Sequence, residues 1–325
     1  MTEIIPTTAT VHDAYPHHCD VGFTNIGEYL VVRAGLSPAL KPDKATLVVA
    51  GDIVDIKPIS AVDVEEMPRH HLEGLEWVVT RVHPRRSKIS RPGHGRHGGE
   101  WFEQVIAANL DLLAIVVSVK KPPFHPRLVD RYLVAAERGE VEPVICLNKI
   151  DLLEPEDPPE ELQELQQFDN EILRVSGKTG ENIDKLASRI RGLCVAFVGH
   201  SGVGKSSIIN ALFPGLNLKT SGLRRGDRRG RHTTSRASLF RVDDEGTRLI
   251  DTPGIKSLDI WGITAEELHW YFPDFEDYWR ECHFNDCTHT HETDCAVKRA
   301  VAEGKIKQVR YDSYVRLYQS LKLRK

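Results

Sequence analysis

The sequence predicts a mixed α/β protein in three parts, with a doubly wound parallel sheet in the middle. Residues 1–92 hold short β-rich pieces separated by Pro and Gly, with no long helix among them. From about 100 to 262, continuous apolar runs alternate with helical stretches. From about 263 the chain is polar and helical around three clustered cysteines.

Each part follows from its residues. EYLVVRAG, LVVAGDIVDI and EWVVTRVHP fit strands of a small antiparallel barrel or sandwich. RPGHGRHGG at 91–99 reads as a loop or linker. LLAIVVSV (112–119), PVICLN (143–148) and CVAFVG (194–199) are apolar throughout, as strands buried on both faces of a parallel sheet are. PRLVDRYLVAAERG, PPEELQELQQF and NIDKLASRIRG supply the helices between them, which makes βαβ units. The run from Glu154 to Glu171 has no Lys or Arg and reads as a solvated helix face and loop. The tail KIKQVRYDSYVRLYQSLKLRK fits a basic amphipathic helix. Domain limits of 1–92, 93–262 and 263–325 follow.

Composition narrows the function. Apolar residues make up 40% and charged residues 28%, as in soluble globular proteins. A net charge of −4 excludes a whole-chain field that attracts nucleic acid, so any basic footprint is local. From Arg81 to Gly99 there are six Arg/Lys and no Asp or Glu, with His83, His94 and His97 adding conditional charge. This stretch is a candidate RNA contact, and Lys322, Arg324 and Lys325 are a second. MTEIIPTTATVHDAY has no apolar signal core, and no apolar run approaches the roughly 18 residues that span a bilayer. A cytoplasmic protein without a membrane partner is expected. Cys146 and Cys194 lie in strand-like runs as small buried hydrophobes, and Cys19 stands alone.

Five short motifs carry the chemistry. GHSGVGKS (199–206) satisfies G-x-x-x-x-G-K-S/T between a strand and a helix. The backbone of Gly199, His200, Ser201, Gly202, Val203 and Gly204 can wrap a polyphosphate with its N–H groups inward. Lys205 meets the β/γ-phosphates, Ser206 can ligate Mg²⁺, and Ser207 continues the helix N-terminus that favours the anion. In NKID (148–151), the Asp151 carboxylate can accept two hydrogen bonds from guanine, a pair adenine cannot offer. Asn148 can tie loops together, and the Lys149 stem can cover the purine face. Ser176, Gly177 and Lys178 supply backbone N–H groups suited to the guanine carbonyl. DTPG (251–254) places Asp251 to hold Mg²⁺ through water and the Gly254 N–H to sense a γ-phosphate. Between these lies SGLRRGDRRGRHTTSR (221–236), a switch in which Thr233 or Thr234 can supply a further Mg²⁺ hydroxyl. The order is base, base, phosphate, switch, switch, so the chain is circularly permuted. It leaves the fold soon after the second switch, which makes the γ-phosphate state a lever on the last 60 or so residues.

Cys282, Cys287, His289 and Cys295 make three thiolates and one imidazole, a set suited to structural zinc. His283 and His291 stand close by, and His291 is an alternative fourth ligand.

NKID, SGK, GHSGVGKS, GRHTT and DTPG, followed by C-x4-C-x-H-x5-C, resemble the circularly permuted, small-ribosomal-subunit-dependent GTPases A, bacterial assembly factors. QVIAANLDLLAIVVSV, PRLVDRYLVAAE and ITAEELHWYFPDF look like family segments too, so the resemblance covers roughly 75–305. It implies an α/β circularly permuted P-loop GTPase domain between an N-terminal OB-like β-barrel that binds RNA and a C-terminal α-helical zinc-binding domain. It implies GTP hydrolysis to GDP with Mg²⁺, stimulation by the 30S subunit, contact with 16S rRNA, release after late 30S maturation, and one zinc per chain, with His289 as fourth ligand. A monomer is expected. Ile255 follows DTPG where many switch GTPases carry a water-positioning Gln, so His232 is the candidate catalytic group.

Overall fold

A computed structural model describes residues 7–25, 28–37, 40, 48–61, 74–94, 101–124, 126–153, 168, 170–216, 237–251 and 260–323. Five strands form the N-terminal part: β1 (Thr7–Ala14), β2 (His18–Asn25), β3 (Glu28–Leu36), β4 (Ile53–Pro58) and β5 (Trp77–Val82). β1, β2 and β3 are antiparallel neighbours; β3 runs parallel to β5, β5 antiparallel to β4, and β4 closes on β1. Closure covers the edge of β1 over Thr7–Thr10 and gives the five-stranded OB-like barrel. The barrel is therefore not wholly antiparallel, because β3 and β5 meet from distant parts of the chain. Val11, Cys19, Val21, Ala34, Val54, Ile56 and Val79 fill its interior.

Residues 91–94, expected in a linker, belong to β6 (Lys88–His94), which forms a hairpin with β7 (Trp101–Ala108). Pro92 is tolerated because β6 has a partner strand, β7, on one side only. Much of the basic stretch here is occupied by carboxylates. Arg85 binds the buried Asp52 carboxylate through Nε and Nη2 at 2.7 and 2.8 Å, Arg86 pairs with Asp111 at 2.5 Å, and Lys88 pairs with Glu103 at 2.9 Å.

The middle sheet contains β8 (Leu112–Ser118), β9 (Glu142–Asn148), β10 (Ile172–Arg174), β11 (Cys194–Val198), β12 (Ser238–Arg241) and β13 (Arg248–Asp251). Its order is β10-β9-β8-β11-β13-β12, parallel except for β12. The three apolar runs read from the sequence are β8, β9 and β11. Every residue of β8 is buried, and its alternation serves two cores. Leu113, Ile115 and Val117 share one with Val129, Tyr132 and Ala136 of helix α1 (Pro126–Arg138). Leu112, Ala114 and Val116 share the other with Leu186 of α2 (Ile183–Ile190) and Ile208 of α3 (Lys205–Leu212). Burial pushes the thiols of Cys19, Cys146 and Cys194 up to about 12, as expected of packed hydrophobes. The helix expected from PPEELQELQQF lies outside the described residues, apart from Phe168.

The barrel and the sheet join edge to edge. β12 pairs with β1 at Ser238↔Asp13, and the Ser238 hydroxyl donates to Asp13 Oδ1 at 2.5 Å.

The C-terminal part holds α4 (Glu276–Trp279), α5 (Ala296–Ala302) and α6 (Gln308–Lys322). α6 is the helix expected in the tail, but its inner face is structural. Tyr314, Leu317, Tyr318 and Leu321 pack in a core that also takes Val134 of α1. Arg310 is buried, not presented to a partner: it donates to Asp130 on α1 and to Asp274 at 2.5 Å. The Phe168 and Phe272 rings lie 5.2 and 4.8 Å from its guanidinium. Among the described residues, no helix is long and apolar enough to cross a membrane.

Candidate functional site

The phosphate loop starts where β11 ends. Gly199 has φ 144°, and a Cβ there would stand 2.2 Å from the Val116 carbonyl oxygen. Gly204 has φ 97°, and its Cβ would fall 2.2 Å from Asn148 Nδ2. These two approaches require glycine. The turn delivers Lys205 to the first position of α3, where its ammonium donates to the carbonyls of Gly199 at 2.7 Å and His200 at 3.0 Å. His200 Nδ1 lies 2.8 Å from the Ser201 carbonyl. Ser206 is half-buried and Ser207 exposed on the same first turn.

Asn148, the last residue of β9, is buried and joins two motifs to its own. Its Nδ2 donates to the Val203 carbonyl at 2.8 Å, and its Oδ1 accepts from the Gly177 N–H at 3.0 Å. Lys149 follows in the left-handed region at φ 65°, and its ammonium donates to the carbonyls of Gly202 at 2.6 Å and of Lys121. Burial lowers the Lys149 pKa, and Asp151 opposes the shift. Asp151 Oδ1 accepts from the buried Ser176 hydroxyl at 2.6 Å, while the Thr179 N–H donates to Ser176 Oγ at 3.1 Å. A Cβ on Gly177 would lie 2.7 Å from the Ile208 nitrogen, so this loop rests against α3. Lys178 is exposed.

NKID, SGK and GHSGVGKS thus converge at the carboxyl ends of β9 and β11, the crevice where open α/β sheets bind ligands. Asp251 closes β13, half-buried and opposite Ser238. His232, Thr233, Thr234, Gly254 and Ile255 lie outside the described residues. The sequence reading passed over the segment after β8. Its Lys121 carbonyl meets Lys149, and Pro122 Cδ would lie 3.7 Å from a Cβ on Gly202. Its place after a central parallel strand was the available signal.

The cysteine cluster is equally compact. The ligand atoms of Cys282, Cys287, His289 and Cys295 all lie within 4.8 Å of one another. Zn–S bonds of about 2.3 Å and Zn–N of about 2.0 Å give tetrahedral edges of about 3.8 Å (S–S) and 3.5 Å (S–N). Cys282 and Cys295 Sγ are 3.8 Å apart, and His289 Nδ1 lies 3.5 and 3.4 Å from them. The donor set and spacing fit one zinc. His291, the alternative ligand, has a side chain 78% exposed and meets Thr290 Oγ1 at 3.2 Å instead; the His283 side chain is 65% exposed. Burial, then the neighbouring His269, lowers His289 to about 4, which keeps it neutral for ligation. Burial and the neighbouring thiols push Cys287 up, so metal binding here must displace protons. The hydroxyls of Tyr311 and Tyr314 on α6 hold the loop by donating to the carbonyls of His289 and Thr288, each at 2.8 Å.

A chain that carries NKID and SGK first, and GHSGVGKS and the strand leading into DTPG after them, defines a class: circularly permuted P-loop GTPases. The RsgA GTPase family profile matches residues 82–261. A Chlorobaculum tepidum protein called small ribosomal subunit biogenesis GTPase RsgA is 39% identical over 298 residues, 91% of this chain and 93% of its own length. A Shewanella oneidensis protein of the same name is 36% identical over 97% of this chain and 83% of its own length. The YjeQ crystal structure from Thermotoga maritima superposes with a TM-score of 0.73 at 30% identity, over 98% of this chain and 99% of that one. YloQ, described as a circularly permuted GTPase, gives 0.72 at 26% identity, over 99% and 96%. This chain belongs to the RsgA GTPase family, and it is a GTP hydrolase that works with GTP, GDP and Mg²⁺.

Proposed function

We propose that this GTPase serves biogenesis of the small ribosomal subunit: it binds the 30S particle, touches its 16S rRNA, and leaves when GTP is hydrolysed. The observation that carries the nucleotide part is the pair of Asn148 bonds, which hold the phosphate loop and the guanine-facing loop in one assembly. The ribosomal part is supported by the names of the relatives that match nearly the whole chain.

In this reading residues 1–92 are the RNA-binding barrel, 93–262 the GTPase and 263–325 the zinc domain. Asn148, Lys149, Asp151 and Ser176–Lys178 read guanine, while Gly199–Ser207 bind phosphates. Ser206, Asp251 and Thr233 or Thr234 serve Mg²⁺, and Gly254 senses the γ-phosphate. Cys282, Cys287, His289 and Cys295 hold one zinc as a structural ion. His232 orients the attacking water in place of the Gln that Ile255 replaces. The protein acts as a cytoplasmic monomer.

Multiple-turnover phosphate release, with and without purified 30S subunits, tests this. Strong stimulation in the wild type, lost in His232→Ala with GTP binding intact, is the expected result. No stimulation in the wild type would favour a nucleotide-bound assembly scaffold instead. Asp151→Asn should weaken GTP and admit a xanthine nucleotide; equal competition by ATP in the wild type would refute the guanine assignment.

A further inference from the structure

The barrel strand β1 shifts register where it approaches the GTPase part. Val11 faces Val21 and Asp13 faces Asp20, so His12 is an extra residue on β1, a bulge. Two strands over, β3 pins it: His12 Nε2 lies 2.7 Å from the Tyr29 hydroxyl. That pair passes over Gly22, where a Cβ would stand 2.1 Å from the Tyr29 oxygen and 2.5 Å from His12 Nε2. Bulges re-aim the side chains beside them. The residue that follows this one, Asp13, is the partner of Ser238 on β12.

Ser238 stands between two carboxylates. On one side of β12 it faces Asp13, and on the other it faces Asp251 at the end of β13. Directly opposite residues of antiparallel strands project to the same face, with Cβ atoms about 4.5–5.5 Å apart. A serine hydroxyl has one proton to give. Ser238 gives it to Asp13 Oδ1, at 2.5 Å. The face is the one that matters for the nucleotide. Leu249, two residues before Asp251 and so on the same face of β13, shares a core with Ile208 of α3. α3 carries Ser206 on its first turn. A hydroxyl just past β11 and a carboxylate at the end of the adjacent β13 are the hard oxygen donors that magnesium takes.

We infer that Asp13 is a positioning residue for GTP hydrolysis: it takes the proton of Ser238 and so keeps that hydroxyl off the carboxylate that serves magnesium. This rests on the reading that Asp251 serves magnesium. Without Asp13, the Ser238 hydroxyl turns to the acid on its other side and ties up an oxygen there. The barrel thus contributes a residue to the order of the nucleotide site, although β12 stands between them.

The test uses the full-length protein loaded with a fluorescent, non-hydrolysable GTP analogue and titrated with Mg²⁺, so it reads binding and not turnover. Asp13→Ala and Asp13→Val both remove the acceptor, the second with a strand-favouring side chain. Either should raise the Mg²⁺ concentration for half-saturation about 10–100-fold. Asp13→Asn, whose side-chain carbonyl still accepts from Ser238, should stay near the wild type. Asp13→Ala combined with Ser238→Ala should recover most of the loss, because no hydroxyl is left to capture Asp251. Unchanged Mg²⁺ binding in Asp13→Ala and Asp13→Val overturns the inference. So does a double variant as weak as Asp13→Ala, which would make Ser238 a plain rung of the ladder. A wild type whose nucleotide complex takes no Mg²⁺ overturns the magnesium reading instead.

Discussion

At the nucleotide loops, one buried amide at the end of a strand whose last five residues are buried bonds to two neighbouring loops. At the metal cluster, the first three ligands hang from a segment whose longest nearby regular pieces are four-residue turns, Leu268–Tyr271 and Glu276–Trp279. The first site is shaped by a sheet that stands without ligand. The second is a small fold of its own, held by thiols, an imidazole, two tyrosine hydroxyls and one carboxylate. A site carried by strand ends loses its ligand and keeps its form, whereas a site made of loops would owe its form to the zinc proposed for it.

Removing the metal should open the widest gap between them. Chelation, or Cys287→Ser, takes away a contribution on the order of 10 kcal/mol and should melt the segment around the ligands, seen by hydrogen exchange. GTP affinity should stay within about twofold, because the nucleotide loops are held by the strand ends of the sheet and by Asn148, not by the cluster; a collapse of GTP binding would end the comparison. Asn148→Ala should do the reverse. It leaves the Gly177 N–H and the Val203 carbonyl without their partner, costs about 2–4 kcal/mol and lowers GTP affinity about a hundredfold by calorimetry. Zinc content should not change.

Glu292 sharpens the metal side. Burial works against its charge, but bonds from Thr288 N and Oγ1 at 2.8 and 2.7 Å, with the N–H groups of Thr290 and His291, hold its pKa down at about 2. A folded-state pKa below the unfolded value of about 4.3 gives stability that is present at neutral pH and lost as pH falls through the folded value. Glu292→Gln should therefore cost about 2 kcal/mol at pH 7 in chemical denaturation, and the gap from the wild type should close as pH falls from about 4.5 toward 2. Tyr311→Phe, which deletes one bond to the His289 carbonyl, should cost about 1 kcal/mol in the same assay.

Legibility in the sequence followed the range of the interaction. β8, β9 and β11 were plain because burial on both faces demands an uninterrupted apolar run. The phosphate loop was plain because glycine is forced at Gly199 and Gly204 by atoms 2.2 Å from where a Cβ would stand. The ligand cysteines lie within fourteen residues of chain and declared themselves by spacing. β1 and β2 were faint because each holds only three apolar residues in eight, most of them small, and the parallel β3–β5 pair because it joins residues some 43 apart, as in Ala34↔Trp77. Nothing in the basic tail marks Arg310 as internal; only Asp130, distant in sequence, and Asp274 do so. The family resemblance favoured His289, but spacing alone left His291 open until the loop had a shape.

The pairing of Ser238 with Asp13 has a consequence for solubility. An antiparallel strand at the end of a sheet exposes a row of unsatisfied amides and carbonyls that another chain can complete. β1 begins to cover that row on β12, while the opposite end of the sheet stops at β10, three residues long. A version of the protein cut off before residue 93 would uncover β12 and offer its edge to other copies. The barrel therefore guards its neighbour against self-association.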